Sequence, residues 1–92
     1  MMKNKIKNKI TTQLDIKYIN ISDLTDKHKN HIQYDGGGHY KLIVVSDDFK
    51  NYTLIQRHQL IYKILKNMIK KEIHAISIET KTVEEYKNSK NN

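Results

Sequence analysis

The spacing of apolar residues predicts a helix and then a strand in the first part of the chain. Ile6, Ile10 and Leu14 recur at intervals of four, so residues 3–14 are expected to form a short amphipathic helix. Residues 15–22 are rich in β-branched and aromatic side chains, a composition that favours a strand.

A long polar connection precedes the most apolar segment. Residues 23–38 contain His28 and His31 and end in three glycines, and a connection of this length in a small domain is more often functional or mobile than a simple link. Residues 40–46 are apolar on both faces, which predicts a strand in a central position. Ser46 supplies N-cap chemistry for a turn or short helix after it.

The second half of the chain predicts a helix, a strand and a short terminal helix. Residues 56–71 have a buried apolar stripe with lysines on the other side, and residues 73–78 form a third strand. Residues 82–87 are expected to form a helix, since Thr82 and Glu85 have the spacing of a capping box.

This order of elements predicts an α+β sandwich with a three-stranded mixed sheet and helices on one face. The second and third strands are joined across a helix, so they should be parallel if adjacent. We expect residues 1–92 to form a single domain, with residues 1–3 and 88–92 disordered.

Length and composition narrow the classes of protein. A chain of 92 residues can bury one thin core. It contains no cysteine, which fits a reducing, intracellular compartment and leaves the compartment itself open. No apolar run approaches the roughly 18 to 20 residues that span a bilayer, and no secretory signal is visible, so we expect no membrane partner.

The net charge of +7 raises the possibility of nucleic-acid binding. The lysines are concentrated at positions 3, 5, 7 and 9 and at positions 63, 66, 70 and 71, while the chain has a single arginine, Arg57. Bidentate phosphate and base contacts favour arginine. The distribution therefore favours a solvated lysine-rich surface, with nucleic-acid binding as the alternative.

Histidine is the best borderline metal ligand available to a chain without cysteine. His39 follows the glycines and precedes a strand, so it should be accessible. Alternation from Ile76 and Ile78 places His74 on the face that the helices are expected to cover. From the residues alone, the commoner outcome is a structural role for His74 and an ordinary loop position for His39.

Other polar residues offer weaker signals. His58 lies in the first turn of a predicted helix, where a structural role is favoured over ligation. Arg57 could bind a partner carboxylate or cap the preceding loop. Adjacent Asp47 and Asp48 are more often capping residues than catalytic ones, and no nucleophile, metalloprotease or nucleotide motif accompanies them, so we do not expect an enzyme.

Taken together, four blocks of sequence resemble the BolA-like protein family. They are HYKLIVVSDDF at 39–49, RHQLIY at 57–62, IHAISI at 73–78 and the tail from Thr82 to Tyr86. The resemblance covers residues 24–86. It departs from the family pattern at Asn51, where such chains usually have glycine, and at the glycines of residues 36–38, where some members have a cysteine.

The resemblance implies a fold similar to class II KH domains, with the order αββααβ. It also implies an adaptor in iron–sulfur cluster assembly and trafficking that binds a monothiol glutaredoxin of the CGFS type. The two proteins would share a 2Fe-2S cluster, which the free chain would not hold. The glutaredoxin cysteine and glutathione would supply thiolates, His74 would be the principal ligand from this chain and His39 the second. Arg57 and His58 would contact the partner.

The alternative implied by the same fold is a KH-like nucleic-acid-binding transcriptional regulator. A KH domain grips the backbone of RNA or single-stranded DNA through a GXXG loop between two helices. Residues 50–56, the corresponding segment, contain no glycine. This omission is the strongest argument in the sequence against KH-type binding.

Overall fold

The computed structural model describes residues 2–25 and 38–90. His28, His31 and the first two glycines of residues 36–38 lie outside these residues. The elements in chain order are α1 (Met2–Thr11), β1 (Tyr18–Asp23), β2 (Gly38–Val45), a short 3-10 helix (Asp47–Phe49), α2 (Leu54–Ile64), α3 (Lys66–Lys71), β3 (Ile73–Lys81) and α4 (Val83–Lys90).

The strands form one mixed sheet in the order β1-β2-β3. Strand β2 is central, as its apolar sequence predicts; it pairs antiparallel with β1 and parallel with β3. The predicted α+β fold with a three-stranded mixed sheet is therefore confirmed. The parallel pairing has a functional consequence, because it brings the starts of β2 and β3 to the same end of the sheet.

One face of the sheet forms the core with three helices. Alternate residues of β2, which are Tyr40, Leu42 and Val44, are buried there. The helices cover them with Ile6 and Ile10 of α1, Ile61 of α2, Leu65 and Met68. Each fully buried aliphatic side chain of this size contributes about 1.5–3 kcal/mol, so this stripe accounts for the packing of the helices on the sheet.

The predicted helix over residues 56–71 is two helices in the structure. Helix α2 begins earlier, at Leu54, because Thr53 and Gln56 form a capping box in which each side chain accepts a hydrogen bond from the other residue's backbone N–H. The break lies at Leu65, whose φ of −95° and ψ of 8° depart from helical values. Leu65 is completely buried, so the break turns α3 without removing this side chain from the core.

Both ends of the described chain are more regular than expected. Residues 2–3 belong to α1 and residues 88–90 to α4, whereas disorder was expected there. The capping box predicted for α4 is confirmed: the backbone N–H of Glu85 donates to Thr82 Oγ1 at 3.2 Å, and that of Thr82 donates to Glu85 Oε1 at 2.8 Å. This reciprocal pair satisfies two of the N–H groups that a helix start leaves open.

The predicted cap after β2 is also present. Ser46 is completely buried, and its hydroxyl accepts a hydrogen bond from the backbone N–H of Asp48 at 3.1 Å. The same hydroxyl donates to the carbonyl of Asp15 at 2.8 Å, so it also fixes the segment that leads into β1.

Within residues 2–25 and 38–90, the helices are too short or too polar to cross a membrane.

Candidate metal centre

Two histidines meet at the end of the sheet where β2 and β3 both begin. The ring centroids of His39 and His74 are 4.9 Å apart, and the ring planes are inclined by 45°. The residues are 35 positions apart in sequence, and the parallel pairing of their strands brings them together. The two candidate ligands identified from the sequence are therefore neighbours in space.

A register shift in β3 determines where His74 lies. Gly38 is opposite Ile73, and the next residue of β2, His39, is opposite Ala75, so His74 is the extra residue of a bulge-like irregularity. The expectation that His74 shares the helix-covered face with Ile76 and Ile78 is wrong for this reason. Strict alternation does not hold across a bulge, and His74 is exposed.

The two imidazoles differ in exposure, and the Nε2 atom of His39 is buried. His74 is at the surface and His39 is half-buried beside it. Neutral imidazole nitrogen is a ligand for iron in some 2Fe-2S centres, where two histidines coordinate one of the two irons. The donor set of the pair therefore fits such a cluster. In the part of the chain that the structure describes, no group of three or more metal-ligating side chains is placed to hold a metal ion.

The backbone of His39 is held from the β1 side by Leu24 and Thr25. The register of β1 and β2 would continue with Leu24 opposite His39, and the N–H of Leu24 does donate to the His39 carbonyl at 2.7 Å. The N–H of His39, however, donates to Thr25 Oγ1 at 3.1 Å. A side-chain hydroxyl thus serves as the acceptor for the His39 N–H just beyond the end of β1.

Thr25 is itself held by Asp23. The backbone N–H of Thr25 donates to Asp23 Oδ1 at 2.9 Å. Hydrogen bonds from the Thr25 hydroxyl and backbone hold the pKa of Asp23 below its ordinary value. Sequence reasoning missed Thr25, although an Asp side chain such as that of Asp23 commonly accepts a hydrogen bond from the backbone two residues on.

Gly38 and Tyr40 complete the support on either side of His39. A Cβ atom at Gly38 would lie 2.4 Å from Cε2 of the Tyr40 ring, so only glycine leaves room for the ring there. Burial raises the pKa of the Tyr40 hydroxyl, and the nearby Asp23 carboxylate acts in the same direction, while a hydrogen bond with Thr25 opposes them. The segment that presents His39 is therefore anchored by close packing as well as by hydrogen bonds.

Arg57 lies beyond the opposite end of β3 and is bonded within the protein. Its Nε donates to the carbonyl of Tyr52 at 3.0 Å, while Nη1 and Nη2 donate to the two carboxylate oxygens of Glu85 at 2.7 and 3.3 Å. The guanidinium also lies 5.8 Å from the centre of the Phe49 ring. Arg57 is 6% exposed, so it takes the loop-capping role left open by the sequence and offers little surface to a partner.

The ion pair with Arg57 affects the pKa of Glu85. The hydrogen bond from Arg57 lowers the pKa of Glu85, and the backbone N–H of Thr82 acts in the same direction. The Glu85 side chain is about half exposed, with 47% of its surface accessible, so water screens part of the attraction.

His58 belongs to a different surface from the histidine pair. It is half-buried and lines a groove between the start of α2 and β3, together with Leu54, Ile78 and Glu79. The side chain of Leu54 is 64% exposed and Ile55 beside it is 71% exposed. The predicted contact of His58 with a partner remains a prediction.

The lysines cover the outer side of the helical layer. Those of α1 at positions 3, 5, 7 and 9 are exposed, as are Lys63, Lys66 and Lys71. Lys5 forms an ion pair with Glu72 at 3.4 Å, which joins α1 to the segment before β3. The solvated lysine face expected from the sequence is the arrangement in the structure.

Comparisons with a family model and with known proteins agree on one family. Residues 10–85 match the family model described as BolA-like protein. An uncharacterized protein of Buchnera aphidicola is 39% identical over 90 residues, covering 98% of this chain and 85% of the relative. The DNA-binding transcriptional regulator BolA of Haemophilus influenzae is 39% identical over 62 residues, covering 67% of this chain and 60% of the relative.

Similarity to solved structures agrees with the sequence comparison. The BolA domain of SufE1 from Arabidopsis thaliana superposes with a TM-score of 0.78 at 37% identity, covering 88% of this chain and 91% of that one. The full SufE-like protein 1 from Arabidopsis thaliana is longer: the match, 34% identical, covers 85% of this chain and 23% of that protein. BolA1 from Arabidopsis thaliana also superposes with a TM-score of 0.78, at 28% identity, over 89% of this chain and 92% of that one.

Proposed function

This chain belongs to the BolA-like protein family, and from that premise we propose that it is an adaptor in iron–sulfur cluster assembly and trafficking. In this proposal it binds a monothiol CGFS glutaredoxin and shares a 2Fe-2S cluster with it through His74 and His39. The observation that supports the proposal best is the 4.9 Å separation of the two imidazoles at an exposed end of the sheet.

The chain lacks cysteine, so thiolate ligands must come from elsewhere. The glutaredoxin cysteine and glutathione supply them in the proposed complex, while His74 and His39 supply nitrogen. Exposure of His74 allows a second protein to approach its ring, and partial burial of His39 limits the orientations of the second ligand.

The two histidines contribute a property that thiolates lack. A cluster with imidazole ligands on one iron has a higher reduction potential than one with thiolates only. Imidazolium cannot coordinate a metal, so ligation by this chain is sensitive to protonation. The role of His39 and His74 in this function is to cap the cluster.

Charge assists the encounter. The chain is strongly basic, with a net charge of +7, and glutathione is anionic. Opposite charges raise the rate of association more than they raise the final affinity. We therefore expect formation of the complex to slow as ionic strength rises.

The test is a titration of this protein into a CGFS glutaredoxin that holds a 2Fe-2S cluster with glutathione. Visible circular dichroism should change until the two proteins are equimolar. His74→Ala should remove the change because it removes the principal ligand, and His39→Ala should give a different, weaker spectrum because His74 remains. Ser77→Ala is the matched control, since Ser77 is another exposed residue of β3. If His74→Ala changes the glutaredoxin spectrum in the same way as the wild-type protein, ligation by His74 is ruled out.

A second function is supported by the names of two relatives. The Haemophilus influenzae and Escherichia coli relatives are named DNA-binding transcriptional regulators, and the exposed lysines of α1, α2 and α3 would be the surface that contacts phosphate. In this alternative, binding of a labelled DNA duplex weakens steeply with salt.

Two sets of variants distinguish the functions. Changing Lys63, Lys66 and Lys71 together to Gln should weaken DNA binding and lower its salt dependence, and Lys87→Gln on α4 is the control for general charge. His74→Ala should leave DNA binding unchanged. Binding that is insensitive to both salt and these lysines would contradict the alternative.

A further inference from the structure

The contacts of His39 with the residues that follow β1 identify a positioning residue for the candidate metal centre. His39 is the first residue of β2 after the register shift, directly opposite Ala75. The position of its ring beside His74 depends on where its backbone lies. On the β1 side, that backbone is fixed at two points, the carbonyl by the N–H of Leu24 and the N–H by the side chain of Thr25.

The Thr25 hydroxyl is oriented to accept the His39 N–H. A hydroxyl has a single proton to donate and two lone pairs with which to accept. The hydrogen bonds of Thr25 with Asp23, through both its hydroxyl and its backbone N–H, hold this residue in a compact turn. The hydrogen bond from the His39 N–H uses one lone pair of the Thr25 oxygen.

We propose that Thr25 is a positioning residue that sets the orientation of His39 as the second nitrogen ligand, through the 3.1 Å hydrogen bond from the His39 N–H to Thr25 Oγ1. This inference rests on the proposed function for its consequence in the complex. The geometry itself belongs to the free chain and can be tested there.

The predicted order of variants follows from the hydroxyl. Thr25→Val keeps the shape and β-branching but has no acceptor for the His39 N–H. Thr25→Ser keeps the acceptor and loses only a methyl group, so it should behave like the wild-type protein. Thr25→Ala repeats the loss of the acceptor without a branched side chain, which guards against an effect caused by Val packing alone.

In the free chain, two nuclear magnetic resonance measurements report the position of His39. Amide hydrogen exchange at His39 should accelerate about tenfold in Thr25→Val and Thr25→Ala, the size expected from losing one hydrogen bond. Cross-relaxation between the ring protons of His39 and His74 should weaken in the same variants. Both should be normal in Thr25→Ser. Exchange and cross-relaxation unchanged in Thr25→Val would overturn the proposal.

In the complex with cluster-loaded glutaredoxin, the second measurement is the reduction potential of the cluster, which a change in folding stability alone does not alter. Thr25→Val should shift the potential toward that of His39→Ala, with Thr25→Ser at the wild-type value. A Thr25→Val potential equal to that of wild type would overturn the positioning role. The two hypotheses fail separately. If His74→Ala gives the same visible circular dichroism spectrum as the wild-type protein, the proposed function is contradicted. If Thr25→Val leaves amide exchange and cross-relaxation in the free chain unchanged, the positioning role of Thr25 is contradicted.

Discussion

The two ends of β3 carry polar clusters that were both predicted to serve function, and they differ in how their side chains are used. At the start of the strand, His74 is exposed and its ring lies 4.9 Å from that of His39. Beyond the end of the strand, Arg57 is 6% exposed and donates three hydrogen bonds within the protein.

This difference shows that polar residues in the segments resembling the family can have different roles. Arg57 and His74 both belong to blocks that resemble the family, yet Arg57 is 6% exposed and His74 is exposed at the surface. Removing a buried guanidinium that donates three hydrogen bonds leaves its acceptors without these partners, which destabilises the fold. An exposed imidazole beside a second imidazole costs little to keep, and we propose that this pair binds a metal. Substitution of Arg57 should therefore lower the stability of the fold, whereas substitution of His74 should leave the stability nearly unchanged.

The largest effect on stability should come from Arg57→Ala. The change removes two hydrogen bonds to Glu85, one to Tyr52 and the contact with Phe49, so we expect a loss of about 2 kcal/mol in the free energy of unfolding. Urea denaturation measures it. Arg57→Lys keeps the charge without the bidentate geometry, so its free energy of unfolding should lie between those of the wild-type protein and Arg57→Ala. A loss below about 0.5 kcal/mol, the usual range for surface changes, would mean that the ion pair is not structural.

Gly38→Ala should have the next largest effect, and it acts at the histidine end. The added Cβ would lie 2.4 Å from the Tyr40 ring, which must move, at an expected cost of about 1–2 kcal/mol. A double-mutant cycle with Tyr40→Leu isolates the cause, because Gly38→Ala should cost less once the ring is absent. Equal costs in both backgrounds would exclude a clash with Tyr40.

A smaller, pH-dependent effect is expected for Glu85→Gln. Arg57 lowers the pKa of Glu85 in the folded state, so ionised Glu85 contributes stability above its unfolded pKa, and that contribution is lost as pH falls through the folded pKa. Because Glu85 is half exposed, the contribution should be below about 1 kcal/mol.

Thermal unfolding of both proteins between neutral and acidic pH measures this difference. The wild-type advantage over Glu85→Gln should be full at neutral pH and should disappear in acid. The exposed neighbour Glu84, changed to Gln, is the matched control. A constant advantage at every pH would show that the charge of Glu85 is not responsible.

The smallest effect on stability is expected for His74→Ala. His74 is exposed at a strand irregularity, so the free energy of unfolding should change by less than about 0.5 kcal/mol. Urea denaturation checks this against Arg57→Ala in the same buffer. A large loss would place His74 among the structural residues and reverse the contrast between the two ends of β3.

The sequence predicted the sheet and its central strand because those depend on runs of apolar residues. The continuous apolar character of residues 40–46 identified β2, and capping residues such as Thr82 and Ser46 identified the starts of two short helices. The two ligand candidates also followed from the sequence, through the resemblance to a family.

Features that depend on distant contacts could not be predicted in this way. The break between α2 and α3 lies at the buried Leu65, and no glycine or proline marks it. The exposed position of His74 follows from a register shift relative to β2, which simple alternation within β3 does not reveal. The hydrogen bond between Thr25 and His39 depends on where β1 ends relative to His39.

The most direct test of the central claim is the nitrogen hyperfine spectrum of the reduced 2Fe-2S complex formed with glutaredoxin and a chain labelled with nitrogen-15 at histidine. The account predicts strongly coupled nitrogen from this chain in the wild-type complex, and loss of the His74 coupling in His74→Ala while Ser77→Ala keeps it. A wild-type spectrum without coupled nitrogen-15, or one that His74→Ala leaves unchanged, would contradict it.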